Sequence, residues 1–238
     1  MKTIEKTLHR IPYEEKVDCY TDDEDVIERW CVDKFENTDY LIAIPYIEGI
    51  PVSLEYEDGK IDQVIGKGNG KFGSNYSNQI SLIDNLPLEI KYCDTPVIIR
   101  GIITMYYSDF KRINENRFAI GEKLFPTITA MIYDFLLNDD SDTTENVLKF
   151  IAIDLVTDPG TKYYEEKLDL LADEGFEIPV YEKISETDFR DVNNLLHNLN
   201  KKNKNFEEWE FLTYIDNTED NWVKIIDKEL PYQLTYMY

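Results

Sequence analysis

No run of about 18 consecutive apolar residues occurs in this chain of 238 residues, which excludes a membrane-spanning helix. The opening Met1-Lys-Thr-Ile-Glu-Lys6 lacks the apolar stretch of a secretory signal, so a soluble, cytoplasmic protein without a membrane partner is expected. Cysteine is scarce: Cys19, Cys31 and Cys93 lie far apart with no C-x-x-C spacing. A disulfide framework and a zinc site are therefore not expected, and no metal is implied. Basic residues are the clearest deficit, 25 Lys and Arg against 48 Asp and Glu, for a formal charge of −23. Acidic and basic side chains number 16 and 7 over residues 1–60, 7 and 8 over 61–133, 17 and 5 over 134–191, and 8 and 5 over 192–238. Such a field repels nucleic-acid phosphates, so direct DNA or RNA binding is not expected. It serves either solubility or an acidic surface that engages a basic, nucleic-acid-binding protein. The residues for such a surface are Asp22, Asp23, Glu24, Asp25, Asp139, Asp140, Asp142, Glu165 and Glu166.

What is present is enough for one sizeable core or two small ones, since 42% of the residues are hydrophobic. Thr21-Asp-Asp-Glu24 makes a capping box ahead of Val26, Ile27, Trp30 and Cys31 at helical spacing, which predicts a helix to about Phe35. Leu41–Ile44 and Ile50–Tyr56 read as two strands joined by a tight turn at Glu48-Gly49, and Asp58-Gly59 closes the second strand with a strong hairpin signal. Ile61–Gly66 reads as a further strand. The run Gly66-Lys-Gly-Asn-Gly-Lys-Phe-Gly73 lacks the G-x-G-x-x-G and Walker spacings, so turn chemistry explains it better than a phosphate cradle. Pro96–Met105 and Val147–Val156 read as buried strands, and Ser108–Glu115, Ile128–Leu137 and Tyr163–Asp173 as helices, the last stopped by Gly175. Asn138–Thr144 reads as an acidic turn, and Val192, Leu195, Leu196 and Leu199 as one face of a helix that ends at Lys201-Lys-Asn-Lys204. Trp209–Ile215, Asn221–Asp227 and Pro231–Tyr238 are strand-like.

Several of these segments, in this order, resemble the adenylation domain of bacterial NAD-dependent DNA ligases. Ile44-Pro-Tyr46-Ile-Glu48-Gly and Val52-Ser-Leu-Glu-Tyr56-Glu-Asp-Gly59 parallel Glu-Pro-Lys-x-Asp-Gly followed by Val-Ser-Leu-x-Tyr-x-x-Gly. His9-Arg-Ile-Pro12 and Tyr20 parallel the entry to that domain, although Tyr13-Glu-Glu-Lys16 stands where the family has Met-Leu-Ser-Leu. Lys67-Gly-Asn-Gly-Lys-Phe-Gly73, Arg100-Gly-Ile-Ile-Thr-Met105, Gly121-Glu-Lys-Leu-Phe125 and Gly175-Phe-Glu-Ile-Pro-Val180 follow further family segments. The resemblance implies an α+β fold of antiparallel sheets with peripheral helices, the nucleotidyltransferase (ATP-grasp-like) fold of ligase adenylation domains. It implies a single domain over 1–238, with an N-terminal loop and helix at 1–38 and the nucleotidyltransferase core at 39–238. OB-fold, zinc-finger, helix-hairpin-helix and BRCT parts are not expected.

The resemblance also locates the chemistry. Ligase adenylation uses a lysine to attack the α-phosphorus of NAD, carboxylates to steady the nucleotide, and cations to neutralise the phosphate. Here the nucleophile position holds Tyr46, the carboxylate positions Ile44 and Ile102, the arginine position Thr129, and the two later lysine positions Ile225 and Met237. Glu48 keeps the charge of the family aspartate. A phenol with a pKa of about 10 attacks phosphorus only with a base or cations beside it, so Tyr46 is read either as a filler of the old cavity or as a self-adenylylating residue. The expectation is a catalytically inactive homologue that binds protein, of the DNA-mimic type a phage or mobile element directs at a host nucleic-acid enzyme or defence complex. No cofactor is expected on that reading. The alternative is an NAD or adenine-nucleotide sensor, or a divergent nucleotidyltransferase, that binds NAD or ATP through Lys67, Arg100 and Glu48. A binder of nicked DNA that lost its chemistry is disfavoured by the charge. Oligomeric state is left open.

Overall fold

Within Ile50–Glu57, Val52, Leu54 and Tyr56 are fully buried on one side, and Ser53 and Glu55 are 0% and 1% exposed on the other. A strand covered on both faces is a central strand, and the first sheet forms around it. The computed structural model describes residues 4–13, 17–21, 24–36, 39–92, 96–137, 147–157, 160–161, 163–185, 209–215 and 219–225. Over 17–21, 209–215 and 219–225 it describes the backbone alone. In chain order the strands are β1 (Lys6–Leu8), β2 (Val17–Thr21), β3 (Leu41–Pro45), β4 (Ile50–Glu57), β5 (Lys60–Gly66) and β6 (Phe72–Ser74). They continue with β7 (Val97–Thr104), β8 (Lys149–Leu155), β9 (Glu182–Ile184), β10 (Trp209–Ile215) and β11 (Glu219–Ile225). The helices are α1 (Glu24–Phe35), α2 (Tyr107–Ala119), α3 (Ile128–Leu137) and α4 (Tyr164–Asp173), with a 3-10 helix at Ser77–Leu82. Among the described residues no helix is long and apolar enough to cross a membrane.

The chain folds into two compact units, residues 1–15 with 47–179 and residues 16–46 with 180–238. In the first, β5, β4, β7 and β8 form an antiparallel sheet in that order, and β1 pairs with β6. Phe176 stands edge-on to Tyr56 and Phe150, with ring centroids 6.2 and 6.0 Å away. The Tyr56 hydroxyl donates to the Pro87 carbonyl at 2.6 Å, and burial pushes its pKa above the ordinary value. Helix α4 ties to β8 by the Tyr164 hydroxyl on Ile153 O, 2.6 Å, and by Lys167 Nζ on Asp154, 3.1 Å. In the second unit β2, β11, β10, β3 and β9 form a sheet in that order, with β2 and β11 parallel and the other pairs antiparallel.

The expected hairpin of Leu41–Ile44 with Ile50–Tyr56 does not form. Strand β3 pairs with β9 and β10, whereas β4 pairs with β5 and β7. Leu41–Pro45 is buried at every position, the mark of a strand flanked on both sides rather than a half-exposed hairpin arm. Pro45 and Pro51, on either side of Glu48-Gly49, bring no N–H to a ladder that would close there. The second turn forms as expected. Asp58 and Gly59 take φ of +50° and +75°, and Glu57 pairs with Lys60 across them, as a two-residue type I′ hairpin demands. The acidic turn at Asn138–Thr144, the helix carrying Val192 to Leu199, and the strand at Pro231–Tyr238 lie outside the described residues.

Strands β7 and β8 meet closely at Gly101. A Cβ there would lie 2.3 Å from Ile151 O and 2.4 Å from Phe150 Cζ. Gly101→Ala is expected to cost about 1–3 kcal/mol, the usual range for overpacking. Urea unfolding reads this as a lower midpoint, and an unchanged midpoint would refute the close approach.

Candidate functional site

Glu48 and Thr129, the positions matched to the family aspartate and arginine, come together in the first unit. Glu48 Oε1 accepts from Thr129 N at 3.2 Å and from Thr129 Oγ1 at 3.3 Å. Thr127 Oγ1 accepts from Ala130 N at 3.0 Å. Thr127 and Glu48 thus satisfy two of the N–H groups that the first turn of α3 cannot bond internally, and the carboxylate suits the positive end of the helix dipole. The Glu48 backbone is fixed as well, its carbonyl accepting from Thr104 Oγ1 at 2.7 Å. Beside it, a Cβ on Gly49 would lie 2.5 Å from Ile102 Cγ2 and 2.2 Å from Ile103 O. Glu48, Gly49, Ile102 and Thr129 therefore form one packed group. Its carboxylate holds a helix start.

Arg100 lies two residues before Ile102 on β7, opposite Ser53 of β4, so the two belong to one face of the sheet. Its Nη2 donates to the Pro12 carbonyl at 2.6 Å, and its guanidinium sits 4.6 Å from the centre of the Tyr13 ring, a cation–π distance. Lys67 begins the glycine-rich turn, its N–H on Pro51 O at 2.9 Å. Within that turn Gly70 N donates to Lys67 O, Asn69 N to Phe72 O, and Lys71 N and Phe72 N to Asn69 Oδ1. Gly68 and Gly70 have φ of +56° and +85°. The amides of Asn69, Gly70, Lys71 and Phe72 bond within the loop, which is turn chemistry and not an open anion cradle.

Sequence reasoning missed how the N-terminal segment is used. His9 is buried, with Nε2 3.0 Å from Gly66 O, and Tyr13 N donates to Gly70 O at 2.7 Å. Arg10 gathers three carboxylates. Its backbone N donates to Glu55 Oε1 at 3.1 Å, Nε lies 2.9 Å from Glu55 Oε2, Nη2 lies 2.8 Å from Asp62, and Nη1 meets Glu57. The hydrogen bond with Glu57 is the main reason the Arg10 pKa is raised, against the opposing effect of burial. No local pattern signals this cluster, because Arg10 and its partners are 45 to 52 residues apart. Among the described residues no three His, Cys, Asp or Glu side chains form a group able to hold a metal ion.

In the second unit Tyr46 directly follows β3 and is half-buried. Across β10, Pro45, Trp209 and Ile225 share one row, and Ile44, Glu210 and Lys224 the next. Residues directly opposite one another belong to the same face. The row of Ile44 therefore contains Lys224, whereas Ile225, matched from the sequence to a family lysine, shares the row of Pro45. A register irregularity between Trp222 and Val223 accompanies this placement, and no sequence pattern fixes it. Of the acidic residues, Asp25 and Glu166 are exposed and Glu165 is half-buried. Glu166 also accepts from Tyr163 N at 3.1 Å, at the start of α4. Asp22, Asp23, Asp139, Asp140, Asp142, Met237 and the side chain of Glu24 lie outside what is described.

Residues 4–214 match the family model of the NAD-dependent DNA ligase adenylation domain. A DNA ligase of Thermoanaerobacter sp. (strain X514) is 26% identical over 193 residues, covering 79% of this chain and 29% of that ligase. A DNA ligase of Mesoplasma florum is 32% identical over 125 residues, 51% of this chain and 18% of the other. Among solved structures, a mycobacterial DNA ligase D complexed with ATP and MES gives a TM-score of 0.46 at 12% identity, covering 80% of this chain and 55% of that one. The chain thus spans less than a third of these curated relatives.

Arg10 compensates a buried carboxylate, Glu55. Arg10→Met is expected to destabilise the fold by about 3 kcal/mol, because it leaves that charge unpaired, and Glu55→Gln added to it should recover part of the loss. A double-mutant cycle by urea unfolding measures the coupling; additive effects would refute it.

Proposed function

The chain belongs to the NAD-dependent DNA ligase adenylation-domain family, and we propose that it is a member without ligase-type adenylation that works as a protein-binding module. Tyr46 carries this reading, since it stands where the family places its attacking lysine. Loss of a single oriented charged donor from such a site typically costs 10²–10³ in rate, and here the nucleophile itself is replaced. Two further contacts support the reading. The Glu48 carboxylate is engaged by α3, and Arg100 is engaged by Pro12 and Tyr13. Arg100 is one of the groups that would meet a nucleotide phosphate, and these contacts compete for it.

The partner on this reading is a basic, nucleic-acid-binding protein of a bacterial host, and the chain acts as a phage or mobile-element inhibitor of the DNA-mimic type. The charge of −23 supports it, as does α4, where Glu166, Asp169 and Asp173 are exposed at positions i, i+3 and i+7 of one helical face. A competing reading, an adenine-nucleotide or NAD sensor or divergent transferase acting through Lys67, Arg100 and Glu48, draws on the family match over residues 4–214.

Capture from a bacterial lysate separates the two. The module reading expects a nucleic-acid-handling protein retained at about 50 mM salt and released at about 500 mM, as screening removes surface attraction. Recovery of no such protein sinks it, and capture lost on adding NAD or ATP favours the competing reading.

A further inference from the structure

We propose that the outer face of α2 is a homodimer contact, occupied by α2 of a second copy in antiparallel orientation. Tyr107, Lys111, Asn114 and Phe118 recur at i, i+4, i+7 and i+11 along one face of this helix. With Phe110, Glu115 and Leu124 they line a groove of about 370 Å³. Phe118 and Tyr107 are 75% and 63% exposed, and Leu124 across the groove is 44% exposed. Large apolar side chains concentrated on one face mark an interaction site.

The groove is built rather than incidental. Asn114 Nδ2 donates to Phe125 O at 3.0 Å, and Phe125 N donates back to Asn114 Oδ1 at 2.9 Å. Arg117 Nε donates to Lys123 O at 2.8 Å, and the guanidinium lies 4.4 Å from the centre of the Phe125 ring. These bonds fold Gly121–Phe125 back along α2 and set Leu124 as the second wall.

Local charge permits a second copy as the occupant, and the stripe's self-complementarity selects it. Residues 61–133 carry 8 basic and 7 acidic side chains, the stretch of this acidic chain where like-charge repulsion is weakest. The stripe is also complementary to itself when reversed. Antiparallel pairing centred between Lys111 and Asn114 sets Tyr107 against Phe118 of the other copy, and Lys111 against its Asn114 and Glu115. Such an isologous contact closes on itself as a two-fold dimer. Helix α2 has 13 residues and is thus about 20 Å long, so the contact is small and a micromolar association is expected.

Salt gives the proposal its own signature. Two chains of −23 repel at long range, so screening should tighten an apolar dimer, whereas the basic partner proposed above should be released. Sedimentation velocity of the purified chain at low and high salt is expected to show a concentration-dependent shift from 28.1 kDa to twice that mass, stronger at high salt. Phe118→Lys should weaken association at least about tenfold, as loss of a large aromatic contact does, and Lys111→Glu should weaken it about a few-fold, the scale of an exposed ion pair. Lys111 Nζ lies 3.9 Å from Glu115 Oε1 of its own helix, so the double variant Lys111→Glu with Glu115→Lys keeps that pair, and should restore association because each charge again faces its opposite in the other copy. Circular dichroism confirms that these exposed substitutions leave the fold intact. A chain that stays monomeric at high salt, a dimer indifferent to Phe118→Lys, or a charge swap without recovery would each overturn the proposal.

Discussion

A buried carboxylate needs its cation, and in the first unit that requirement joins the N-terminal segment to the central sheet. Glu55 faces away from the side where Val52, Leu54 and Tyr56 are buried, yet it is only 1% exposed. Arg10 makes this tolerable by meeting Glu55 with both its backbone N–H and its guanidinium, and by reaching Glu57 and Asp62 as well. An unpaired charge at such depth would cost several kcal/mol. With Arg10 anchored, His9 reaches the Gly66 carbonyl and Tyr13 lies against Gly70 and Arg100. The contact between one arginine and one strand therefore anchors the N-terminal segment, which in turn meets the glycine turn and Arg100.

Much of the fold is legible where the signal is local. The spacing of Ile128 to Leu137 defines α3 with the bounds observed, Gly175 ends α4 at a φ of +91°, and Asp58-Gly59 closes the β4–β5 hairpin. Each depends on residues within a turn or two of one another. What is not legible depends on distant partners. Leu41–Ile44 is apolar at every position, and nothing within it says that β10, from beyond residue 208, will lie alongside rather than β4. The Arg10 cluster is hidden for the same reason. At the candidate site, sequence matching brings Glu48, Ile102 and Thr129 to attention, and the structure places them around Gly49. The row of Lys224 follows from strand register, which hydrophobic pattern does not set in a strand as mixed as Glu219–Ile225.

On the proposed reading, retention and replacement relative to the family follow one division. The retained residues, Gly49, Gly101, the Asn114–Phe125 clamp and the glycines of the 66–73 turn, occupy positions where backbones approach or loops fold back. The replaced residues, Tyr46, Ile102 and Thr129, occupy positions where the family resemblance places charge. Geometry and chemistry are separable on such a scaffold, since stability rests on packing and turns while catalysis rests on a few oriented charges. The Glu48 carboxylate satisfies the first turn of α3.

We propose that the scaffold persists without the transfer chemistry. The most direct measurement is intact-mass spectrometry of the purified chain after incubation with NAD or with ATP and a divalent cation. The account expects an unchanged mass. A covalent adenylate adduct, mapped to Tyr46 and lost in Tyr46→Phe, would contradict it.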